Sequence, residues 1–295
     1  MNITRIKLWK NKLVIASFVA IPVALLLAFT IYPAIKLCLY SFTDYDGLSP
    51  EIHFVGLYNW KKLFSDIENI KTLWHSVYYM IGGIVQNILA LTLAVILCNK
   101  KIKGKTYLRA MIVLPFVLNG TAVSYMFRYL FDYSKGPLNL LLQNIGLDAV
   151  SWLGNEKLVN WSLAFVQMWM LTGYLMIIYI GALQSIPYDY YEAATIDGAS
   201  GWQKFRYITL PQITPIIGLQ MFLNISGSIN IFNTPFVLTG GGPNNASRTF
   251  AMKTVETAFS YNNYGLASAY GVFCAILIGI LYVVQTRVLN RKEAS

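Results

Sequence analysis

Uncharged apolar stretches of about twenty residues recur along this chain and limit its fold more than any other feature. A stretch of ~18–20 apolar residues is long enough to cross the hydrocarbon core of a bilayer as a helix. Charged residues make up only 12% of the chain, about half of the roughly one quarter that is usual in soluble domains. The sequence therefore predicts an all-α polytopic membrane protein.

Six membrane-spanning helices can be drawn along the 295 residues. They cover about 13–39, 73–97, 110–131, 158–183, 213–238 and 265–284. No stretch is left for a soluble domain, so we expect residues 1–295 to form a single transmembrane domain. The first stretch resembles a signal peptide, but it is much longer than the ~7–15 residues of a signal h-region and no small-x-small site closes it. We interpret it as an uncleaved first span.

The distribution of positive charge predicts the orientation of these spans. With the N-terminus inside, fourteen of the 23 Lys and Arg residues lie in the segments 1–12, 99–109, 185–210 and 285–295. Lys and Arg are enriched in cytoplasmic loops, so both termini are expected in the cytoplasm. The same rule explains the formal net charge of +10, and no nucleic-acid partner is needed to account for it.

Residues for catalysis or metal binding form no recognisable pattern. Neither His53 nor His75 has metal-ligand spacing to another His, Cys or carboxylate. The three widely spaced cysteines contain no CxxC pair and are interpreted as apolar packing residues. The "GKT" at 104–106 lacks the glycine that a phosphate-binding loop needs five positions earlier, where Asn99 stands. We expect no catalytic residue, no bound metal or cofactor, and no ATP hydrolysis by this chain.

The predicted spans carry neutral hydrogen-bonding residues in place of charges. Ion-coupled transporters keep ionisable groups at mid-depth, but the second, fourth, fifth and sixth spans contain no Asp, Glu, Lys or Arg. Residues four apart share a helix face, and a polar stripe of this kind runs along the fifth span. The candidates for a pathway suited to hydroxyl-rich solutes are Gln167, Thr172, Gln220, Asn224, Ser228 and Asn230. Interhelical hydrogen bonding is the alternative explanation of these residues.

The segment 185–211 is a compact polar hairpin between two apolar spans. Ser185 is predicted to cap a first helix, which ends where Gly198 takes the left-handed conformation. Ser200 is predicted to open a second short helix with a capping box, and Leu210-Pro211 to stop it. The small side chains at the elbow would let another protein approach the backbone closely. A helix lying on the lipid surface is the alternative.

Residues 191–211, "YEAATIDGASGWQKFRYITLP", resemble the EAA motif of permease subunits of binding-protein-dependent ABC importers. The shared spacing places Glu-Ala-Ala at 192–194, then Gly198, then Leu210-Pro211. Three further stretches are similar to the carbohydrate branch, the maltose-type permeases: "FVGLYNW" (54–60), "LTGGGPNNAS" (238–247) and "YGLASAYG" (264–271). The resemblance implies the six-span type I importer permease fold with a cytoplasmic coupling-helix hairpin and no large external insertion.

The resemblance also implies partners and roles. In that family the hairpin is the coupling helix that fits a cleft of a cytoplasmic ATPase. This contact would here involve Glu192, Ala193, Ala194, Asp197, Gly198 and Ala199. Two copies of the ATP-binding subunit would hold ATP and Mg, and a second, similar permease subunit would complete the pathway in the bacterial cell membrane. An extracytoplasmic solute-binding protein would deliver sugar and dock near Gly241, Gly242 and Pro243, although such a loop is often only a turn.

Two other classes of function remain as alternatives. A stand-alone ion-coupled transporter or channel is disfavoured by the uncharged spans. A membrane enzyme would need acidic or metal-binding residues near the interface, and the close acidic pair Asp44 and Asp46 has nothing else around it to make a site. Among solutes, an oligosaccharide, disaccharide or polyol is favoured over a phosphorylated or acidic sugar, because no basic residue lies in the fifth-span stripe.

Overall fold

The computed structural model of the chain describes residues 17–98 and 102–293. Within these ranges the regular structure is helical, apart from one isolated antiparallel bridge between Thr43 and Phe54. Five helices are long and apolar enough to cross a membrane, and a bent pair of helices adds a sixth crossing if it is counted as one. The predicted all-α polytopic membrane fold is confirmed.

The helices are numbered here in chain order. They are α1 (Ser17–Tyr40), α2 (Tyr58–Ser65), α3 (Ile67–Cys98), α4 (Lys105–Val117), α5 (Gly120–Leu130), α6 (Pro137–Asn144), α7 (Val159–Gln184), α8 (Tyr188–Ile196), α9 (Gly201–Ile229), α10 (Asn233–Thr239), α11 (Phe250–Phe259) and α12 (Tyr264–Glu293). A π-helical turn interrupts α1 at Leu27–Ile31 and α9 at Phe205–Thr209. The long helices are α1, α3, α7, α9 and α12.

The predicted third span, 110–131, is not one straight helix. Helices α4 and α5 meet at an angle of 95°. The break lies at Asn119, whose Oδ1 accepts a hydrogen bond from the N–H of Thr121 at 2.9 Å and so caps the first turn of α5. An asparagine that caps a helix ends the preceding one. The apolar composition predicted the right residues for the crossing and missed the cap inside it.

The predicted fifth span, 213–238, also differs from the structure. Helix α9 begins earlier, at Gly201, and ends at Ile229, and the remaining residues form the separate helix α10. The prediction that Leu210-Pro211 stops a short helix is wrong, since α9 runs through both residues. The π-helical turn ends at Thr209, two positions before Pro211, and its wider winding leaves room for the proline ring.

Contacts divide the chain into two compact units. The first contains the described residues up to Asp66 together with Thr254–Ala275. Inside this unit the Asn59 Nδ2 donates to the carbonyl oxygens of Ser41 at 3.1 Å and Thr43 at 2.8 Å. These bonds attach α2 to the segment that follows α1. The assignment of residues 1–295 to a single domain stays a prediction.

The second unit contains Ile67–Lys253 and the residues from Ile276 onward. Helices α3 and α7 pack along their lengths, and α4 and α9 pack against them. Ala90 and Ala94 of α3 are fully buried in one apolar cluster with Met176 of α7. Small residues allow helices to approach closely in a bilayer. The α3–α7 pair is therefore the rigid centre on which the site is built.

Gly173 lets α4 and α7 cross in direct backbone contact. A Cβ at this position would collide with the backbone of Ile112 and Val113, and backbone atoms cannot rotate away. Gly173→Ala is expected to lower the free energy of unfolding by about 1–3 kcal/mol through overpacking. Gly181→Ala, on the same helix with nothing within 4 Å of its Cβ, is the control. The thermal unfolding midpoint in detergent measures both, and equal midpoints would contradict the close approach.

Candidate functional site

A cavity of about 160 Å³ opens between α3, α7 and α9. Its lining is polar but uncharged: none of its described lining residues is Asp, Glu, Lys, Arg or His. The hydrogen-bonding side chains in the lining are Tyr79, Gln86, Asn87, Gln167, Tyr174, Gln220, Asn224 and Ser228. Such a set can bind hydroxyl groups as donor and as acceptor.

Four of the six residues predicted for the pathway line this cavity, and two do not. Gln167, Gln220, Asn224 and Ser228 are brought together by α7 and α9. The Thr172 hydroxyl instead donates to the carbonyl oxygen of Met168 in its own helix at 2.6 Å. Asn230 caps the end of α9, where its Nδ2 donates to the Ser226 carbonyl at 3.0 Å. The end of the helix therefore separates Asn230 from the stripe that precedes it.

Two tyrosines and two amides of the lining were not among the predicted site residues. Tyr79, Gln86 and Asn87 lie at helical spacing on α3, and Tyr174 adds a hydroxyl from α7. Hydropathy counts tyrosine as apolar, which concealed the two hydroxyl groups. The signal in the sequence is the spacing of Tyr79, Gln86 and Asn87, which places the three on one face of α3.

Part of the polar lining is already hydrogen-bonded within the chain. The Tyr179 hydroxyl donates to Asn87 Oδ1 at 2.6 Å, and Asn87 Nδ2 donates to the Gly83 carbonyl at 2.8 Å. The Ser228 hydroxyl donates to Asn224 Oδ1 at 3.1 Å. Interhelical and intrahelical bonding, the alternative explanation of these residues, thus accounts for some of their capacity. It fixes the orientation of the amides at the cavity wall.

Two buried polar atoms of the lining have no partner among the described residues. They are Tyr79 Oη and Gln86 Nε2, both on α3. A buried group left without a hydrogen bond costs about 1–3 kcal/mol, so it is retained where something polar can satisfy it. These two atoms and the oriented amides make the cavity wall suited to bind water or a hydroxyl-rich solute.

The polar hairpin 185–211 starts later than predicted. Ser185 does not cap α8; its hydroxyl donates to the Ala182 carbonyl at 2.8 Å at the end of α7. Helix α8 begins at Tyr188 after Pro187, which has no side-chain cap. Proline fixes the backbone and needs no N–H partner at the start of a helix, so Pro187 alone is sufficient to begin α8.

The elbow of the hairpin has the predicted geometry. Gly198 has φ +77°, its N–H donates to the Thr195 carbonyl at 3.1 Å, and the Ala199 N–H donates to the Ala194 carbonyl at 2.9 Å. These are the two bonds of a Schellman motif, which ends a helix with a left-handed glycine. The left-handed conformation of Gly198 is confirmed.

The capping box of the second helix is also confirmed. The Ser200 N–H donates to Gln203 Oε1 at 2.7 Å, and the Gln203 N–H donates to Ser200 Oγ at 3.3 Å. Lys204 Nζ donates to Thr195 Oγ1 at 2.8 Å and so joins α9 to α8 across the elbow. Bonds on both sides of Gly198 hold the hairpin in one shape.

The outer rim of the elbow is open to solvent. Glu192, Ala193, Asp197 and Gly198 are exposed, while Ala194 and Ala199 are half-buried. A Cβ at Gly198 would meet nothing within 4 Å. Ile196, beside the elbow, is 83% exposed, so its side chain is accessible to a partner.

The residues predicted for docking of a binding protein lie in a folded loop. Ser247 donates to this loop twice, from its N–H to the Gly241 carbonyl at 3.1 Å and from its hydroxyl to the Gly242 carbonyl at 2.6 Å. Gly241 is buried, and Gly242 and Pro243 are half-buried.

Asp44 and Asp46, the acidic pair available to a membrane enzyme, accept hydrogen bonds from backbone N–H groups. Asp46 Oδ1 accepts from the N–H groups of Leu48 and Ser49, and the Ser49 and Leu48 amides lower its pKa to about 2. The His53 N–H bonds Asp44 and lowers its pKa as well. Groups this acidic at neutral pH are poor general acids. Across the described residues no cluster of three His, Cys, Asp or Glu could hold a metal ion.

The fold and the neutral cavity together define a membrane permease. The family model described as "Binding-protein-dependent transport system inner membrane component" matches residues 86–294. The chain belongs to this family, as predicted from the hairpin, and the family is one of transport proteins.

Relatives extend over nearly the whole chain. The probable ABC transporter permease protein YurN of Bacillus subtilis is 33% identical, covering 94% of this chain and 96% of YurN. The multiple sugar-binding transport system permease protein MsmF of Streptococcus mutans is also 33% identical, covering 94% of this chain and 95% of MsmF. The trehalose/maltose transport system permease protein MalF of Thermococcus litoralis is 31% identical over 81% of each.

The fold matches a solved structure of the same kind. The crystal structure of a bacterial ABC transporter involved in the import of the acidic polysaccharide alginate aligns with a TM-score of 0.83 at 22% identity. The alignment covers 97% of this chain and 99% of that one. The shared fold confirms the importer permease architecture predicted from the sequence.

Proposed function

We propose that this chain forms half of the translocation pathway of an ATP-driven importer for a neutral oligosaccharide, disaccharide or polyol. The observation that carries the proposal is the cavity lined by amides and hydroxyls, without a charged side chain among its described lining residues. Neutral sugars offer only hydroxyl groups, which such a wall matches. Two relatives, the multiple sugar-binding transport system permease protein MsmF and the trehalose/maltose transport system permease protein MalF, support this class of solute.

We assign ATPase coupling to the hairpin 185–211. Its elbow at Gly198 is exposed, and so are Glu192, Ala193 and Asp197 beside it. An exposed turn of fixed shape suits insertion into a cleft of another protein. ATP would close two ATP-binding subunits, the hairpin would move with them, and α9, which continues from the hairpin without a break, would carry the motion to the cavity wall. ATP and Mg belong to those subunits in this scheme.

Further partners follow from the size and openness of the cavity. Its 160 Å³ is below the roughly 300–1,000 Å³ of pockets that enclose a ligand of moderate size. A second, homologous permease subunit would supply the facing wall. An extracytoplasmic solute-binding protein would dock at the outer loops near Gly241, Gly242 and Pro243. The chain would lie in the bacterial cytoplasmic membrane with both termini inside.

The first test is purification of the tagged chain from its native membrane, followed by mass spectrometry of the proteins that accompany it. We expect a second permease and an ATP-binding subunit, and sugar uptake into proteoliposomes that requires ATP and the binding protein. A chain that purifies alone and transports without ATP would establish the stand-alone transporter and reject the importer.

A further inference from the structure

A second cavity, separate from the polar pathway, lies where α3 and α7 begin. It measures about 340 Å³ and is closed on one side by the loop 244–246. Two acids and two lysines lie in its wall, so that their charges balance. Its wall also contains aromatic and neutral polar groups: the side chains Trp74, His75, Tyr78 and Asn160 lie there with the acid Glu156. None of these five lines the first cavity.

Two aromatic side chains form one wall of this cavity. Trp74 is 65% exposed, and Tyr78 follows one helical turn later on the same face of α3. The Tyr78 ring is held edge-on against Trp161, with ring centroids 5.0 Å apart. A pyranose ring has an apolar C–H face, and an exposed indole offers a rigid apolar surface of matching size with a polar edge.

Hydrogen-bond acceptors stand near this aromatic wall. His75 Nδ1 lies 2.8 Å from the carbonyl oxygen of Arg248. A carbonyl oxygen only accepts, so Nδ1 carries a proton, and Nε2 is the acceptor nitrogen of that tautomer. Asn160 Nδ2 donates to the Ala246 carbonyl at 2.7 Å, while its Oδ1 has no partner among the described residues, although Asn160 is only 3% exposed.

These acceptors call for a ligand that donates. Glu156 adds a carboxylate whose Oε1 accepts from Asn244 Nδ2 at 2.6 Å, which leaves its second oxygen for another donor. The carboxylates of Glu68 and Glu156 balance Lys71 and Lys157, so the wall has no net charge that would favour an anionic ligand. A neutral saccharide supplies hydroxyl donors for these oxygens and nitrogens, together with a C–H face for Trp74.

We propose that this cavity is a saccharide subsite at the extracytoplasmic mouth of the chain, where a sugar is held before it enters the membrane cavity. The proposal rests on the proposed function, since the predicted orientation places the starts of α3 and α7 on the side from which sugar arrives. The subsite differs from the membrane cavity in chemistry, because it contains an exposed indole and charged side chains.

The test uses the purified importer complex in lipid nanodiscs without its binding protein. Saturation-transfer-difference NMR is recorded with maltotriose, raffinose and chitotriose as neutral probes. We expect transfer to the ring protons of at least one probe, reduced about tenfold in Trp74→Ala and kept within about twofold in Trp74→Phe, which preserves an aromatic face. Tyr125→Ala, which removes an exposed aromatic ring that lines neither cavity, is the matched control and should retain the signal. Gln167→Ala removes a side chain of the membrane cavity and reports binding there. Glu156→Gln tests the carboxylate in a variant with unchanged shape.

The outcomes separate this proposal from the proposed function. No transfer to any probe in the wild-type complex, or a signal that Gln167→Ala abolishes and Trp74→Ala does not, rejects the subsite. ATP-dependent uptake of the same saccharides by the same complex with its binding protein measures the proposed function independently. If Trp74→Ala only lowers the amount of inserted protein and leaves the signal per complex unchanged, Trp74 is an interfacial anchor and the subsite is rejected.

Discussion

Gly198→Asp is expected to reduce sugar uptake about tenfold or more, equivalent to roughly 1.4 kcal/mol of lost coupling, while the permease stays folded in the membrane. The Cβ at this position meets nothing within 4 Å inside the chain. Asp tolerates the left-handed conformation better than most residues. The substitution therefore adds bulk and charge only where a partner would approach the elbow. Uptake into proteoliposomes and the amount of ATP-binding subunit that co-purifies measure the loss.

Gly104 offers a closely matched control for this substitution. It also has a left-handed backbone, with φ +73° against +77° at Gly198, and its Cβ also meets nothing within 4 Å. Gly104→Asp thus carries the same backbone cost and the same charge outside the hairpin. We expect near-normal uptake from it. An equal loss of uptake in both variants would show that backbone strain causes the effect. Normal uptake in Gly198→Asp would contradict a coupling role for the hairpin.

The hairpin shows why local chemistry was predictable from the sequence. The glycine turn at Gly198 and the capping box at Ser200 each depend on a few adjacent residues, and both formed as predicted. Ser185 was predicted wrongly because two helix ends compete for it: the same hydroxyl can cap the next helix or bond the preceding one, and here it bonds the Ala182 carbonyl. Proline at 187 makes a second cap unnecessary.

The breaks inside the spans were harder to predict for a related reason. Hydropathy averages over about twenty residues, so Asn119 and Asn230 hardly change the apolar signal of the third and fifth spans. Each asparagine nevertheless bonds backbone groups at a helix end. Whether an asparagine caps a helix or lines a cavity depends on the tertiary surroundings, which are not contained in the local pattern.

The cavity combines a predictable part with an unpredictable one. The stripe Gln220, Asn224 and Ser228 followed from a spacing of four residues, and all three line the cavity. Tyr79 and Gln86 enter it from a helix about 140 positions away in the sequence, and only the packing of α3 against α9 brings them near the stripe. One sequence alone does not show which residues distant along the chain pack together.

Gly83→Ala is expected to close the cavity between α3, α7 and α9 and to reduce sugar uptake about tenfold. A tenfold change corresponds to a free-energy difference of roughly 1.4 kcal/mol. A Cβ at Gly83 would occupy the position of the Asn224 side-chain amide. The methyl group would force this amide away from α3 and break its bond from the Ser228 hydroxyl. Gly227→Ala adds a methyl group to the same cavity wall with nothing within 4 Å and is the control. Uptake per inserted complex measures both variants.

The double variant Gly83→Ala/Asn224→Ala distinguishes steric damage from loss of a solute contact. Removing the amide relieves the collision, so the thermal unfolding midpoint should return toward that of the wild type. Uptake should stay low, because the wall then lacks the Asn224 donor and acceptor that a hydroxyl-rich solute needs. If uptake recovers together with stability, the amide only fills space and Asn224 has no place in the pathway. If Gly83→Ala alone transports normally, the contact between α3 and α9 is looser than described, and the cavity does not depend on it.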